Sequence, residues 1–381
     1  MNTHDVHLSR RGVLGGLAVL GAGVSATLIS CQELPTGSSQ ERTMATVAPT
    51  PTVVPPGMTL ATFRTPGGTP VPDVVWSPNS QRLAYCTEMQ VRICDIATRR
   101  TLLLYWDDTV EFINALSWFS VGTGQLSYLG WRYGPLQVLE PASGNMLAFY
   151  DFETGAALTA VYMFAWSPDG KRVALASDYS VTVRDAVSGQ VLVTYPRNPP
   201  PGGQPSYIVA WSPDGKIIAS AGRTHAVQFW EAATGQPLHH FPEPAQAIAA
   251  AWSPDGRYLA YMVEQNPMAY QDQLRPVQII VREVSTARKV LSLAGNFGIG
   301  MGPASTLIFP RSLAWSPDSR YLAMLGHDTE VQVWDVARRR LVLSYGGHRS
   351  LVQAVAWSPN GRCLASAARD GMVLVWRAPG R

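Results

Sequence analysis

The stretch Ile248-Ala249-Ala250-Ala251-Trp252-Ser253-Pro254-Asp255-Gly256-Arg257-Tyr258-Leu259-Ala260-Tyr261 reads as a β-hairpin. Two short apolar and aromatic runs flank Ser-Pro-Asp-Gly, in which Pro presets φ, Asp can bond its own backbone and Gly accepts positive φ. Trp-Ser-Pro recurs at Trp76, Trp166, Trp211, Trp252, Trp315 and Trp357, and a worn copy begins at Trp118. Successive tryptophans stand 42, 48, 45, 41, 63 and 42 residues apart, so one unit is repeated seven times. Each unit continues with a third strand such as Val331-Gln332-Val333-Trp334-Asp335 and, after another turn, a fourth such as Val191-Leu192-Val193-Thr194-Tyr195. Four strands cannot bury their own faces, so the units must pack on one another.

Composition agrees with many short strands and turns. The 381 residues include 33 Gly and 29 Pro. The chain exceeds the roughly 250 to 300 residues that one hydrophobic core usually holds. Thirty Lys and Arg against 27 Asp and Glu give a net charge of +3, too weak to imply a nucleic-acid partner. After Cys31 only Cys86, Cys94 and Cys363 remain, with no Cys-x-x-Cys spacing. Free, mostly buried thiols are expected, with Cys94 opposite Leu83 rather than Cys86.

With the literal Trp334-Asp335 and the variants Trp230-Glu231, Arg184-Asp185 and Arg282-Glu283, residues 58–381 resemble the WD-repeat propellers. The Trp-Ser-Pro-Asp-Gly phrase is also similar to the periplasmic propellers of the Tol system, usually six-bladed, but the Val-x-Val-Trp-Asp strands favour the first family. The resemblance implies an all-β fold, a seven-bladed β-propeller of four-stranded antiparallel blades. In such propellers a strand from the chain's beginning completes the last blade. Here Met58 to Phe63 holds the fourth-strand register of blade seven, and pairing with Val373 to Trp376 would close the ring.

The N-terminus carries two further resemblances. Arg10 and Arg11, followed by an uncharged run to Ser30, resemble a twin-arginine export signal, with Val13 where that family prefers Phe. Leu28-Ile29-Ser30-Cys31 resembles the lipobox of bacterial lipoproteins, which implies a lipidated Cys31. The alternative is an uncleaved anchor, since residues 12–30 approach the roughly twenty that span a bilayer. The expected organisation is therefore a signal peptide over 1–30, a Pro/Thr/Ser-rich tether over 31–57 and the propeller over 58–381. That places the protein outside the cytoplasm, anchored at a membrane.

Candidate sites are few. His348, Ser366, Asp370 and Trp376 match the buried hydrogen-bond network of the family, which implies a structural rather than a catalytic Ser-His-Asp set. Blade six keeps Asp328 and Trp334 but has Met324 at the Ser position, so most blades are expected to rely on packing alone. No nucleophile elbow, zinc pair, phosphate loop or calcium loop occurs, and neighbouring His239 and His240 point to opposite faces of a strand. No catalytic, cofactor or metal residue is assigned. The step of 63 residues contains two insertions in blade five, around Gln265 to Arg275 and around Asn296 to Gly302. They link strand two to three and strand four to the next blade, so both leave from one rim.

Their Met and aromatic side chains suit a partner interface, although the loops could instead cover each other. Candidate partner-binding residues are Tyr270, Gln271, Arg275, Phe297 and Met301, joined on that rim by Trp131 and Arg132. The function expected is a monomeric, membrane-anchored, non-catalytic scaffold for a protein or peptide, without cofactor. The alternative is an extracytoplasmic enzyme, or an accessory to one, with a small-molecule site at the channel mouth.

Overall fold

A computed structural model describes residues 55–119, 124–130, 134–150, 160–177, 180–195, 206–222, 226–264, 275–297, 311–326 and 329–380, excepting the side chains of 206–207, 275–276 and 295–297. The chain begins with β1 (Thr59–Arg64). Blade one is β2 (Val74–Trp76), β3 (Arg82–Cys86), β4 (Gln90–Asp95) and β5 (Thr101–Trp106). Blade two is β6 (Ile113–Phe119), β7 (Gln125–Gly130), β8 (Leu136–Leu139) and β9 (Met146–Tyr150). Blade three is β10 (Val161–Trp166), β11 (Arg172–Ser177), β12 (Val181–Asp185) and β13 (Val191–Tyr195). Blade four is β14 (Ser206–Trp211), β15 (Ile217–Gly222), β16 (Ala226–Glu231) and β17 (Pro237–Pro242). Blade five is β18 (Ala247–Trp252), β19 (Tyr258–Glu264), β20 (Arg275–Glu283) and β21 (Lys289–Phe297). Blade six is β22 (Leu313–Trp315), β23 (Tyr321–Leu325), β24 (Val331–Asp335) and β25 (Arg340–Tyr345), followed by β26 (Val352–Trp357), β27 (Cys363–Ala368) and β28 (Met372–Arg377).

These strands form seven four-stranded antiparallel sheets, and the expected all-β propeller stands. The seventh sheet has the order β1-β28-β27-β26, so the N-terminal strand closes the ring. Thr59 pairs with Trp376 and Phe63 with Val373. Phe63 and Ala61 are buried there among Val373, Val375 and the blade-one residues Val74 and Tyr85. Pairing with β1 covers the hydrogen-bonding edge of β28, which would otherwise be open to another chain.

Two devices explain why the Trp-Ser-Pro phrase repeats. The serine Oγ accepts from the backbone N–H five residues on and donates to the turn Asp or Asn, as Ser253 does with Tyr258 N (2.8 Å) and Asp255 (2.6 Å). The tryptophan reaches the preceding blade. Trp76, Trp211, Trp252 and Trp315 each donate Nε1–H to the carbonyl just before that blade's own Trp: Ala356, Ala165, Ala210 and Ala251, at 3.0 to 3.2 Å. Trp357 is buried at the same position, yet its Nε1 has no partner among the described residues.

The turn position that needs positive φ is Gly256 (φ 71) in blade five, but Ser80 (φ 61) and Ser319 (φ 59) hold it in blades one and six. The left-handed cost at these serines is offset across the blade seam. Ser80 Oγ accepts from Asn360 N and Ser319 Oγ from Asp255 N, each at 3.0 Å. Cys86, Cys94 and Cys363 are free and buried, and Cys94 pairs with Leu83.

Candidate functional site

Blade five departs from its siblings by length. β20 and β21 run nine residues each and pair from Arg282–Lys289 out to Arg275–Phe297. The connection after β19 and the connection after β21 therefore spring from the same end of one long hairpin, as the spacing of the tryptophans implies. The boundaries differ from the sequence expectation in one respect. Arg275 and Phe297 are the last paired residues of the extended ladder rather than loop residues, because cross-strand hydrogen bonding carries on through the alternating Arg275-Pro276-Val277-Gln278-Ile279 run. Tyr270, Gln271, Met301, Trp131 and Arg132 lie outside the described residues, as do Cys31, Arg10, Arg11 and Asp328.

Toward the ring, the start of β22 is tied across the channel. Arg311 donates through Nη2 to Leu116 O (2.9 Å), and its Nε lies 3.2 Å from Asp73 Oδ1. Blades six and two stand on nearly opposite sides of a seven-membered ring, so this bond spans the channel mouth. The Asp73 side chain is fully buried and also accepts from Val74 N (2.8 Å) and Leu116 N (2.7 Å). Burial lifts its pKa to about 6, and the Arg311 charge opposes the rise. No repeat pattern announces either residue.

The four blade-seven residues meet. His348 Nε2 lies 2.8 Å from Ser366 Oγ, its Nδ1 3.3 Å from Asp370 Oδ2, and Trp376 Nε1 donates to Ser366 Oγ at 3.2 Å. Burial lowers the His348 pKa despite the neighbouring Asp370, which favours a neutral ring with Nδ1–H directed at the carboxylate and the Ser366 hydroxyl donating to Nε2. Ser366 is fully buried.

Besides blade seven, two blades do not rely on packing alone: two further networks stand at the equivalent places, built from different residues. In blade two, Asp107 accepts from Tyr128 Oη (2.7 Å) and Gln137 Nε2 (2.6 Å). In blade five, the nearly buried Glu243 accepts from Tyr261 Oη (2.6 Å), Arg282 Nη2 (2.7 Å) and Lys289 Nζ (3.0 Å). Arg282 sits where blades four, six and seven have Trp, and lies 4.5 Å over the Phe241 ring. Burial alone would raise the Glu243 pKa, but the Tyr261, Lys289 and Arg282 hydrogen bonds outweigh it and hold it below the usual carboxylate range. Pairing by function, rather than by residue type, is what hid these sets from the repeat.

On the opposite rim a cavity of about 260 Å³ opens between blades six and seven, lined by Pro317, Asp318, Tyr321, Trp357, Asn360 and Pro379 among others. Adjacent His239 and His240 are both exposed on β17. Among the described residues no group of three or more His, Cys, Asp or Glu is placed to hold a metal, and no helix is long and apolar enough to cross a membrane.

Comparison with known proteins bears on the fold. Three segments, 206–231, 304–335 and 339–377, match the family model "WD domain, G-beta repeat"; they fall in blade four, blade six and the stretch from β25 through β28. No curated protein matches the chain. A solved chain from "Crystal Structure of Mitotic Checkpoint Complex" is similar at 19% identity, with a TM-score of 0.65, over 91% of this chain and 100% of that one. The chain thus carries WD40 repeats and folds as a seven-bladed β-propeller.

Proposed function

We propose that the protein is a membrane-anchored, extracytoplasmic propeller that holds a protein or peptide, without catalysing a reaction, through the face crowned by blade five. The observation that carries this reading is the β20–β21 hairpin, whose nine-residue strands are longer than the other described strands and which gathers both long connections at one end. Tyr270, Phe297 and Met301 in or beside those connections are the residue types that dominate protein interfaces. That the similar solved chain comes from a multi-protein complex fits the same reading. The fully enclosed Ser366 favours a structural role for His348 and Asp370, because a nucleophile must meet its substrate. Anchoring rests on Leu28-Ile29-Ser30-Cys31 and the Arg10-Arg11 pair, with residues 31–57 as the tether and Cys31 as the first residue of the mature, lipidated chain.

The second reading, an enzyme or accessory with a small-molecule site at the channel mouth, has one observation in its favour: the Asp73–Arg311 pair with its raised carboxylate pKa. Against it, the Asp73 side chain is wholly enclosed, with both oxygens engaged by Val74 N, Leu116 N and Arg311. The test is affinity capture from detergent-solubilised native membranes, comparing the full chain with one in which residues 265–274 are replaced by a short Gly-Ser turn. Loss of a specific partner with an unchanged unfolding temperature supports the scaffold; unchanged capture refutes it. Mass spectrometry of the mature N-terminus decides the anchor, since an unmodified Cys31 still preceded by Arg10-Arg11 contradicts it.

A further inference from the structure

The rim opposite the blade-five loops holds the turns between strands one and two and between strands three and four. Its charge is unevenly spread. In those turns and their strand-end residues, blades six, seven and one carry nine arginines against three aspartates, whereas blades two to five carry six cations against seven carboxylates. The excess has a simple origin. The turn aspartate of the other Ser-Pro-Asp turns is Asn79 in blade one and Asn360 in blade seven, and two arginine runs, Arg99-Arg100 and Arg338-Arg339-Arg340, occupy the turns before β5 and β25. Asp335, fully buried, is already engaged by Arg320 (3.2 Å) and Arg338 (2.9 Å), and the exposed Arg339 and Arg340 have no carboxylate partner among the described residues.

The chain enters the propeller between these two runs. β1 starts at the Arg377 end of β28, where Gly57 N donates to Arg377 O (2.9 Å). On one side Gly57 packs against Leu343 of β25, and on the other Arg99 Nη2 donates to Leu60 O (2.8 Å). Beside the arginines, the outer strands at this corner present Met58 (49% exposed), Leu102 (48%) and Leu341 (43%). The exposed guanidinium groups of Arg100, Arg339 and Arg340, interleaved with exposed large apolar side chains, match a surface that is anionic at its headgroups and apolar just beneath. An acidic protein or nucleic acid would satisfy the arginines but would leave the apolar groups without a use.

We infer that this corner, over blades six, seven and one, lies against an anionic phospholipid surface, and that it orients the propeller so that the blade-five face points away from the membrane. The inference rests on the anchored reading above. A single lipid anchor fixes the protein to a membrane but not its attitude; a second, electrostatic contact at the tether's point of entry fixes both.

The test uses the full lipidated chain reconstituted into vesicles of phosphatidylcholine, alone or with about one-third phosphatidylglycerol, at low salt. Trypsin cleavage at Arg100, Arg339 and Arg340 is followed against cleavage at Lys171 and Lys216, exposed on the same rim in blades three and four. The expected result is at least tenfold slower cleavage at the three arginines in anionic vesicles, restored by about 1 M salt, with the two lysines unaffected. The Arg100→Gln/Arg339→Gln/Arg340→Gln variant, which spares the Arg99 contact to β1, is compared with the parent in a Cys31→Ser background. It should sediment with anionic vesicles at least tenfold less, with its unfolding temperature unchanged. Equal protection in both vesicle types overturns the inference while leaving the anchor intact. Release of the lipidated chain into the supernatant overturns the anchor itself. Binding of the Cys31→Ser chain to polyaspartate or duplex DNA, but not to anionic vesicles, shows that the corner serves an acidic macromolecule and also overturns the inference.

Discussion

Replacing Glu243 tests whether blade five is held by charge where blades four, six and seven have Trp. Its side chain is 1% exposed and receives three donors, of which Arg282 is 11% and Lys289 43% exposed. Glu243→Ala leaves the Arg282 guanidinium nearly buried without its counter-ion and Tyr261 Oη without its acceptor. Breaking a buried pair in this way typically costs about 3–5 kcal/mol. Lys289 can turn to solvent and adds little. Glu243→Gln keeps an acceptor oxygen and should cost less. The sharper expectation concerns Glu243→Leu/Tyr261→Phe/Arg282→Met, which removes every member that would be stranded. Apolar replacement of a complete buried ionic set is often neutral or stabilising, so the triple variant should be more stable than Glu243→Ala by about 2 kcal/mol or more. Urea unfolding followed by tryptophan fluorescence measures all three. If Glu243→Ala costs under about 1 kcal/mol, or the triple variant is the least stable, the tetrad does not hold the blade and the reasoning fails.

Phe63→Ala removes the buried anchor of β1 beside Tyr85 and should cost about 3–5 kcal/mol, against under about 0.5 kcal/mol for the half-exposed Leu192→Ala; equal urea midpoints would deny that β1 closes the ring. His348→Ala and Asp370→Ala should each cost about 1–3 kcal/mol and the double variant less than their sum, because both report on one chain of hydrogen bonds; additive losses would separate them. Since burial lowers the His348 pKa, its contribution is present above the ordinary histidine value and is lost as pH falls through it, and His348→Gln should flatten that part of the stability profile. Asp73 has the opposite sign: its folded pKa of about 6 exceeds the unfolded value, so the parent gains stability from this group as pH falls from about 6 to about 4, and Asp73→Asn should lose that gain; an unaltered slope in this window would contradict the buried ionised state.

The fold was legible because its determinants are local and repeated. Each Trp-Ser-Pro-Asp-Gly copy encodes a strand, a turn whose Ser and Asp satisfy the backbone, and an indole that reaches the previous blade, so a periodic string maps directly onto a ring. Closure was legible too, because Phe63 stands in the fourth-strand register that blade seven lacks. The polar interior was legible only where it kept familiar residue types, as in His348 and Ser366. Asp107 with Tyr128, and Glu243 with Arg282, perform the same tie between a strand-four connection and the next blade's interior, but a changed residue at every position erases the repeat. Asp73 and Arg311 were invisible for another reason. They stand 238 positions apart, and only closure of the ring brings them within 3.2 Å. Blade five was half legible: residue counting located the two extra segments, but the alternation that turns Arg275 and Phe297 into a paired strand end was overshadowed by the glycines and amides around them.

The claim at the centre of this account is that the blade-five face captures a macromolecular partner. A photo-crosslinking amino acid placed at position 270 in the full chain, irradiated in native membranes, tests it directly, with the same probe at the exposed Leu238 of β17 as the control. The account predicts a discrete high-mass adduct from position 270 that is absent at position 238. No adduct from position 270, or the same adducts from both positions, would contradict it.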